Sequence, residues 1–262
     1  MERRVPRSMS SVELMSFADD GALARAAAEQ WVKQLETAAQ GSVPYCVALS
    51  GGRIAGRFFS AFAELANASR LRLSSVHFFW GDERCVSSED PASNFGLAAK
   101  LLLRPLRIPD NQVHRVRGEM PPESAAAQAE AELRRVAPAD AGGQPALDLI
   151  FLGMGEDGHV ASLFPGEAEE VMADKAVYRP VTAPKPPPRR ITLGYPAIAA
   201  ARQAWVLASG AGKENALRES LASGVLVKED HRLPFVEFRA ETPLARVLRL
   251  RRQTKVLTDI AK

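Results

Sequence analysis

The stretch ALDLIFLGMGEDGHVASLFPG, residues 146–166, decides how the chain is read. A mostly apolar run, Leu147 to Leu152, is cut off by Gly153-x-Gly155-x-x-Gly158, the glycine spacing of a dinucleotide-binding turn. Three features reject that reading. Glu156 and Asp157 place negative charge where a pyrophosphate would lie, and Pro165-Gly166 interrupts the long helix that should follow. The acidic residue expected about 20 positions further on is Asp174, which ends no strand-like run. What is left is a short strand whose carboxyl end opens into a glycine-rich loop presenting His159 next to Asp157. A histidine's ordinary pKa near 6.5 suits proton transfer at neutral pH. A neighbouring carboxylate fixes its tautomer and raises its basicity.

Outward from this strand the same pattern repeats. YCVALS (45–50) stops at Gly51-Gly52, SSVHFFWG (74–81) stops at Asp82-Glu83-Arg84, and AWVLASG (204–210) leads into Gly212-Lys213. Helical segments lie between them. DDGALARAAAEQWVKQLETAAQG (19–41) begins with two aspartates and ends at Gly41. Further helices are expected over 54–68, 94–103, Pro121 to Val136 and about 213–221. This β-α-β-α order predicts an α/β fold, a mostly parallel sheet with helices on both faces, formed by one domain over residues 1–262. APKPPPRR (183–190) is too proline-rich for regular structure and too short to separate domains.

In an open parallel sheet, ligands bind beyond the carboxyl ends of the strands. Ser50, Gly51 and Gly52 form a tight turn into a helix whose free N–H groups make an anion site. Arg84 offers a planar fork for phosphate, with Asp82 or Glu83 to orient it or to act on a proton. Gly210-x-Gly212-Lys213 opens another helix with an added ammonium, without satisfying the Walker pattern. Two glycine turns and an arginine at strand ends point to a phosphorylated ligand.

The totals exclude other classes. With 262 residues, 46% hydrophobic and 25% charged, the chain has an ordinary globular balance. A net charge of +3 does not establish nucleic-acid binding. Of the two basic clusters, Arg3-Arg4 with Arg7 and RVLRLRRQTK (246–255), the second alternates apolar and basic residues and is read as a half-buried strand with a solvated face. No run of about 18 apolar residues and no secretory core occurs, so a cytoplasmic protein without membrane contact is expected. Cys46 and Cys85 form no CxxC, which fits a reducing compartment. His77, His114 and His231 are scattered without ligand spacing, so no metal or other cofactor is expected. No Gly-x-Ser-x-Gly elbow is present, and Ser50 is therefore read as a phosphate-loop residue. Nothing marks an obligate assembly; a monomer or weak homo-oligomer is expected.

Taken together, ALSGG, GDERCVSSEDPASN, GMGEDGHVASLFPG, APKPPPRRITL and SGAGKENAL resemble the 6-phosphogluconolactonase family, within the superfamily shared with glucosamine-6-phosphate deaminase. The resemblance implies a Rossmann-like sheet, no cofactor, and hydrolysis of a phosphorylated sugar lactone, 6-phospho-D-glucono-1,5-lactone. By the same resemblance His159 is the general base, with Asp157 beside it. Ser50, Gly51 and Gly52 cradle the phosphate, with Arg84 and Lys213 adding positive charge. Asp82 and Asn94 shape the sugar side, and Lys185 and Arg190 belong to a loop over the ligand. The chain departs from the family at Arg53-Ile54-Ala55, where a threonine usually stands at the second position. Arg53 or the backbone must supply the contact that hydroxyl would make. The rival deaminases carry Phe-Asn-Glu-Pro where this chain reads Ser162-Leu163-Phe164-Pro165 and lacks their ring-opening glutamate. A non-catalytic sugar-phosphate sensor is a third reading, against which His159 and Asp157 both stand.

Overall fold

A computed structural model describes residues 10–38, 41, 43–222, 226–228 and 241–260, with backbone only for 226–228. Arg3, Arg4, Arg7 and His231 lie outside the described residues. The chain begins with β1 (Ser11–Ser16), α1 (Asp20–Ala38), β2 (Tyr45–Leu49) and α2 (Arg53–Ala68). There follow β3 (Val76–Trp80), β4 (Asp82–Arg84), α3 (Asn94–Ala98) and α4 (Pro122–Val136). The middle holds β5 (Leu149–Gly153), α5 (Glu169–Met172), β6 (Tyr178–Thr182) and β7 (Arg189–Leu193). The chain then continues through α6 (Tyr195–Ala200), β8 (Gln203–Ala208), α7 (Glu214–Leu221), β9 (Leu226–Lys228), α8 (Pro243–Leu250) and β10 (Gln253–Thr258).

Seven strands form one sheet in the order β3-β2-β5-β8-β10-β1-β9, and every pairing in it is parallel. All five residues of β2 are buried, as a strand covered on both faces requires. The covering layer is aromatic where α1 and α2 meet the sheet. Trp31 stacks on Phe62 at 4.0 Å, meets Phe151 edge-on at 5.0 Å, and Phe151 in turn meets Trp205 at 5.6 Å. The α/β fold and its parallel sheet agree with the sequence reading.

Four sequence expectations need correction. Asp82-Glu83-Arg84 is a strand, β4, of a second, antiparallel sheet ordered β4-β7-β6. The proline-rich stretch is regular at its end, because Arg189 and Arg190 pair within β7, and only 183–188 forms the connection from β6. The expected helix over 94–103 is α-helical only to Ala98 and continues as a π-helical turn, Ala99–Leu103. The run 246–255 is no single strand: its first half ends α8, because Leu244, Val247 and Leu248 fall on one buried helical face, and its second half is β10. Among the described residues most of its basic side chains are engaged within the molecule, Arg252 excepted. Arg251 is buried and donates to the Ile198 and Ala199 carbonyls, Arg246 pairs with Glu169 at 2.9 Å, and Lys255 lies 4.7 Å from the Trp205 ring.

Gly81 joins the two sheets. Its N–H donates to Leu49 of β2 at 2.8 Å, and its carbonyl accepts from Leu193 of β7 at 2.8 Å. The Tyr178 hydroxyl adds a 2.6 Å bond to the Trp80 carbonyl. Among the described residues no helix is long and apolar enough to cross a membrane.

The histidines scattered in sequence are not all scattered in space. His77 Nδ1 lies 2.8 Å from His114 Nε2, and His114 Nδ1 lies 2.7 Å from Glu132. With the Glu132 carboxylate accepting from Nδ1, His114 Nε2 is left to accept from His77 Nδ1–H, an arrangement that needs the His114 ring neutral. Arg135 holds the Glu132 carboxyl down to about 2. Burial depresses the proton affinity of both imidazoles below the usual value of 6.5, more than Glu132 raises it. As pH falls through that value the unfolded chain therefore takes up protons that the folded chain refuses, so stability is present above it and is lost below it. Urea unfolding at pH 7.5 and 5.5 is expected to show lower stability at the acid pH. His77→Gln is expected to shrink that difference; an unchanged difference rejects the assignment.

Candidate active site

Three chain segments leave the parallel sheet at neighbouring carboxyl ends. After β2, Ser50 is buried and its hydroxyl accepts from the Gly153 N–H at 3.3 Å, linking the ends of β2 and β5. Gly51 lies so close to Asn94 that a Cβ there would collide with that side-chain amide. Gly52, at φ 97°, adopts the left-handed backbone that turns the chain into α2. The unpaired N–H groups of the first turn of this 16-residue helix sit at the same end, with Arg53 as its first residue.

After β5 the backbone folds back at once, with Gly155 N–H donating to the His159 carbonyl at 2.9 Å and Gly158 N–H to the Gly155 carbonyl at 3.1 Å. The imidazole of His159 occupies the volume a side chain on Gly155 would need. His159 Nδ1 lies 2.5 Å from Asp157 Oδ1, and the same oxygen accepts from the His159 backbone N–H at 3.2 Å. Burial raises the affinity of the Asp157 carboxyl for protons, but the hydrogen bonds and charge of His159 outweigh it and hold the group below the usual carboxylate range. A carboxylate at Nδ1 fixes the N–H there and leaves Nε2 as the free basic nitrogen.

After β8 comes Ser209, then Gly210 at φ 99° and Gly212 at φ 84°, with Lys213 at the start of α7. Asp259 braces this turn from beyond β10: its carboxylate accepts from the Ser209 hydroxyl at 2.7 Å and from Gly210 N–H at 3.0 Å. The Arg53 guanidinium fills the space beside Gly210. Burial and the nearby Arg53 make Lys213 easier to deprotonate, against the opposing pull of Asp259 and Glu156.

The antiparallel sheet supplies the facing wall. Buried Glu83 caps α3, accepting from the backbone N–H groups of Asn94 at 2.8 Å and Phe95 at 2.7 Å and from the Ser93 hydroxyl at 3.1 Å. Burial raises its proton affinity, against the pull of those bonds. Asp82 receives the Asn94 amide at 3.1 Å and the Ser162 hydroxyl at 2.7 Å. Arg84 donates through Nη1 to the Ala92 carbonyl at 2.7 Å, and its buried Nε has no hydrogen-bond partner. Arg190 donates to the Pro187 carbonyl at 3.0 Å and the Lys185 carbonyl at 3.3 Å, and its guanidinium lies 5.6 Å from the Phe164 ring. Burial, then Arg84, make it less basic than usual.

These walls enclose a cavity of about 350 Å³. Of the residues singled out in the sequence, Ser50, Gly51, Gly52, Arg53, Asp82, Arg84, Asn94, His159, Arg190 and Lys213 line it. Asp157 stands behind His159. Lys185 does not join them: it is exposed, and its backbone carbonyl, engaged by Arg190, is what it contributes. Ile54 lines the cavity where the threonine is missing, together with Glu156 and Ser209, which the sequence did not single out. Among the described residues no ion pair within 4 Å involves Arg53, Arg84, Arg190 or Lys213. Four cations gathered without direct ionic partners make a site for an anion. Among the same residues no group of three or more His, Cys, Asp or Glu side chains is arranged to hold a metal.

Residues 18–248 match the family described as glucosamine-6-phosphate isomerases/6-phosphogluconolactonase. A 6-phosphogluconolactonase from Mycobacterium tuberculosis is 36% identical over 220 residues, which cover 81% of this chain and 86% of the relative. One from Streptomyces coelicolor is 33% identical over 216 residues, covering 80% and 83%. The solved 6-phosphogluconolactonase of Trypanosoma brucei superposes with a TM-score of 0.75 at 28% identity, over 95% of this chain and 97% of that one. A monomeric glucosamine-6-phosphate deaminase shares the fold, with a TM-score of 0.75 at 18% identity over 94% of this chain and 96% of that one. The match spans the strands whose ends build most of the cavity, and the chain belongs to the glucosamine-6-phosphate isomerase/6-phosphogluconolactonase family.

Proposed function

We propose that this chain hydrolyses 6-phospho-D-glucono-1,5-lactone to 6-phosphogluconate. The observation that carries the reading is one cavity holding both a histidine with a carboxylate on its Nδ1 and four cations without ion pairs among the described residues. A volume of about 350 Å³ suits a single phosphorylated sugar ring. The phosphate is taken by the backbone of Gly51 and Gly52 with Arg53 and Lys213, at the ends of β2 and β8. Held there, the ring directs its lactone carbonyl toward His159, and remote phosphate binding contributes orientation to the reacting centre.

His159 Nε2 takes a proton from water as the water oxygen bonds to the carbonyl carbon. The carbonyl π pair moves to oxygen, and the negative charge that develops there is stabilised by the cationic wall. Collapse re-forms the carbonyl and breaks the bond from that carbon to the ring oxygen, which receives the proton from His159. The product is an open-chain acid that ionises to a carboxylate. Asp157 keeps the imidazole in the needed tautomer throughout. The rival deaminase chemistry calls for a glutamate after the histidine block. Here Phe164 stands in that stretch, its ring centroid 4.8 Å from that of His159.

Freshly generated 6-phosphogluconolactone is expected to disappear faster than its spontaneous hydrolysis when wild-type protein is added, and His159→Ala should lower kcat by about 10²–10⁴. Absence of acceleration by the wild type rejects the substrate, whereas an unaffected His159→Ala protein rejects the base. Lys213→Ala is expected to raise KM by roughly 10- to 100-fold, the loss of one charge-assisted bond to phosphate, with kcat changed far less. Gly155→Ala should cost at least about tenfold in kcat, because the added methyl must displace the His159 ring; steady-state kinetics at equal folded concentration check both.

A further inference from the structure

Ser162 sits in the loop that follows His159 and is fully buried. The loop around it is held from both sides: Ala161 takes a left-handed φ of 50°, Val160 bridges Leu163, and Ser162 N–H donates to the Thr192 hydroxyl of β7 at 3.2 Å. So held, the side chain lies between two opposite charges. Its Oγ donates to Asp82 Oδ2 at 2.7 Å and accepts from Arg190 Nη1 at 3.5 Å. One hydroxyl has a proton and two lone pairs, so both bonds coexist. Asp82 Oδ1 is occupied by the Asn94 amide, and the other nitrogens of Arg190 are tied to the carbonyls of residues 185–187.

Asp82 and Arg190 are thus linked through a neutral group and do not touch as an ion pair. In a partly dehydrated cavity the direct contact is electrostatically attractive, and the Ser162 hydroxyl bonds to both groups in its place. We propose that Ser162 is a positioning residue that keeps Asp82 and Arg190 as two separate charged groups facing the cavity, an inference that rests on the lactonase reading for its catalytic consequence. Separated, the carboxylate remains an acceptor for ring hydroxyls and the guanidinium a donor toward developing negative charge. Joined, each neutralises the other and the cavity loses one cation.

The test is a double-mutant cycle with a structural arm. Ser162→Ala removes a single buried oxygen. It is expected to lower kcat about tenfold or more while KM for the lactone, set mainly by the phosphate groups at the other end, stays within about threefold. Asp82→Asn removes the charge that would collapse onto Arg190. The combined variant is therefore expected to be no slower than Asp82→Asn alone. Rate losses that multiply across the two substitutions overturn the proposal, as does a Ser162→Ala protein with unchanged kcat. The crystal structure of Ser162→Ala is expected to bring an Asp82 oxygen within about 3 Å of an Arg190 nitrogen. If the two remain apart, the proposal fails whatever the kinetics. Wild-type protein that does not hydrolyse the lactone sinks the lactonase reading instead, and the crystallographic distance still decides the role of Ser162.

Discussion

The site depends on the parallel alignment of β2, β5 and β8, which puts their carboxyl ends side by side. From β2 the chain continues to β3 on one side of that strand, while β5 pairs with its other side, so a crevice opens beyond the carboxyl ends of β2 and β5 at the switch in strand order. Ser50 bridges the mouth of this crevice through its bond to Gly153 N–H. The glycine turns after β2, β5 and β8 follow from that geometry. Each must reverse direction within a few residues of a buried strand, and the three converge because the strands do. His159 and Lys213 come from separate parts of the sequence and reach one cavity.

The second sheet contributes the opposing charges. Gly81 sends its N–H to the parallel sheet and its carbonyl to the antiparallel one, which redirects the chain from β3 into β4 at the rim of the crevice. Three charged residues there are tolerated because each has a place. Glu83 satisfies the start of α3, Asp82 is held by Asn94 and Ser162, and Arg84 is anchored by one nitrogen on Ala92. Arg190, opposite Arg84 in the β4–β7 pairing, gathers the carbonyls of the 185–187 turn around its guanidinium.

The parts of this arrangement legible in the sequence were those with local causes. Apolar runs ending in glycine mark β2, β5 and β8, and the Glu-Asp-Gly-His order places His159 beside its carboxylate. The parts that escaped depend on contacts across the chain. Asp82-Glu83-Arg84 reads as the stop of an apolar run until the N-terminus of α3, about ten residues on, packs against Glu83. The run 246–255 alternates like a strand, yet Val247 and Leu248 also fit a helical face, and packing against the rest of the molecule selects the helix for its first half. Asp259 belongs to no motif, and the motif that contains Ser162 does not reveal its partners. One braces a turn 49 residues earlier and the other links the side chains of Asp82 on β4 and Arg190 on β7, relations visible only in three dimensions. The pairing of His77 with His114 belongs to the same class.

The four cations, without ion pairs among the described residues, also bear on how far the protein can be made robust. Placing Arg53 near Lys213, and Arg84 near Arg190, leaves like charges repelling one another in a partly dry space; burial first, and this repulsion second, make Lys213 and Arg190 less basic than usual. Repulsion among these cations opposes folding, and an anion bound in the cavity relieves it. Replacing one of these residues with an uncharged side chain of similar bulk would relax the fold at the expense of the ligand. Selection for heat resistance alone would therefore act first on the residues that function most needs, and a hardier variant that retains its activity must gain its stability elsewhere, in the aromatic layer around Trp31 or along the sheet edges.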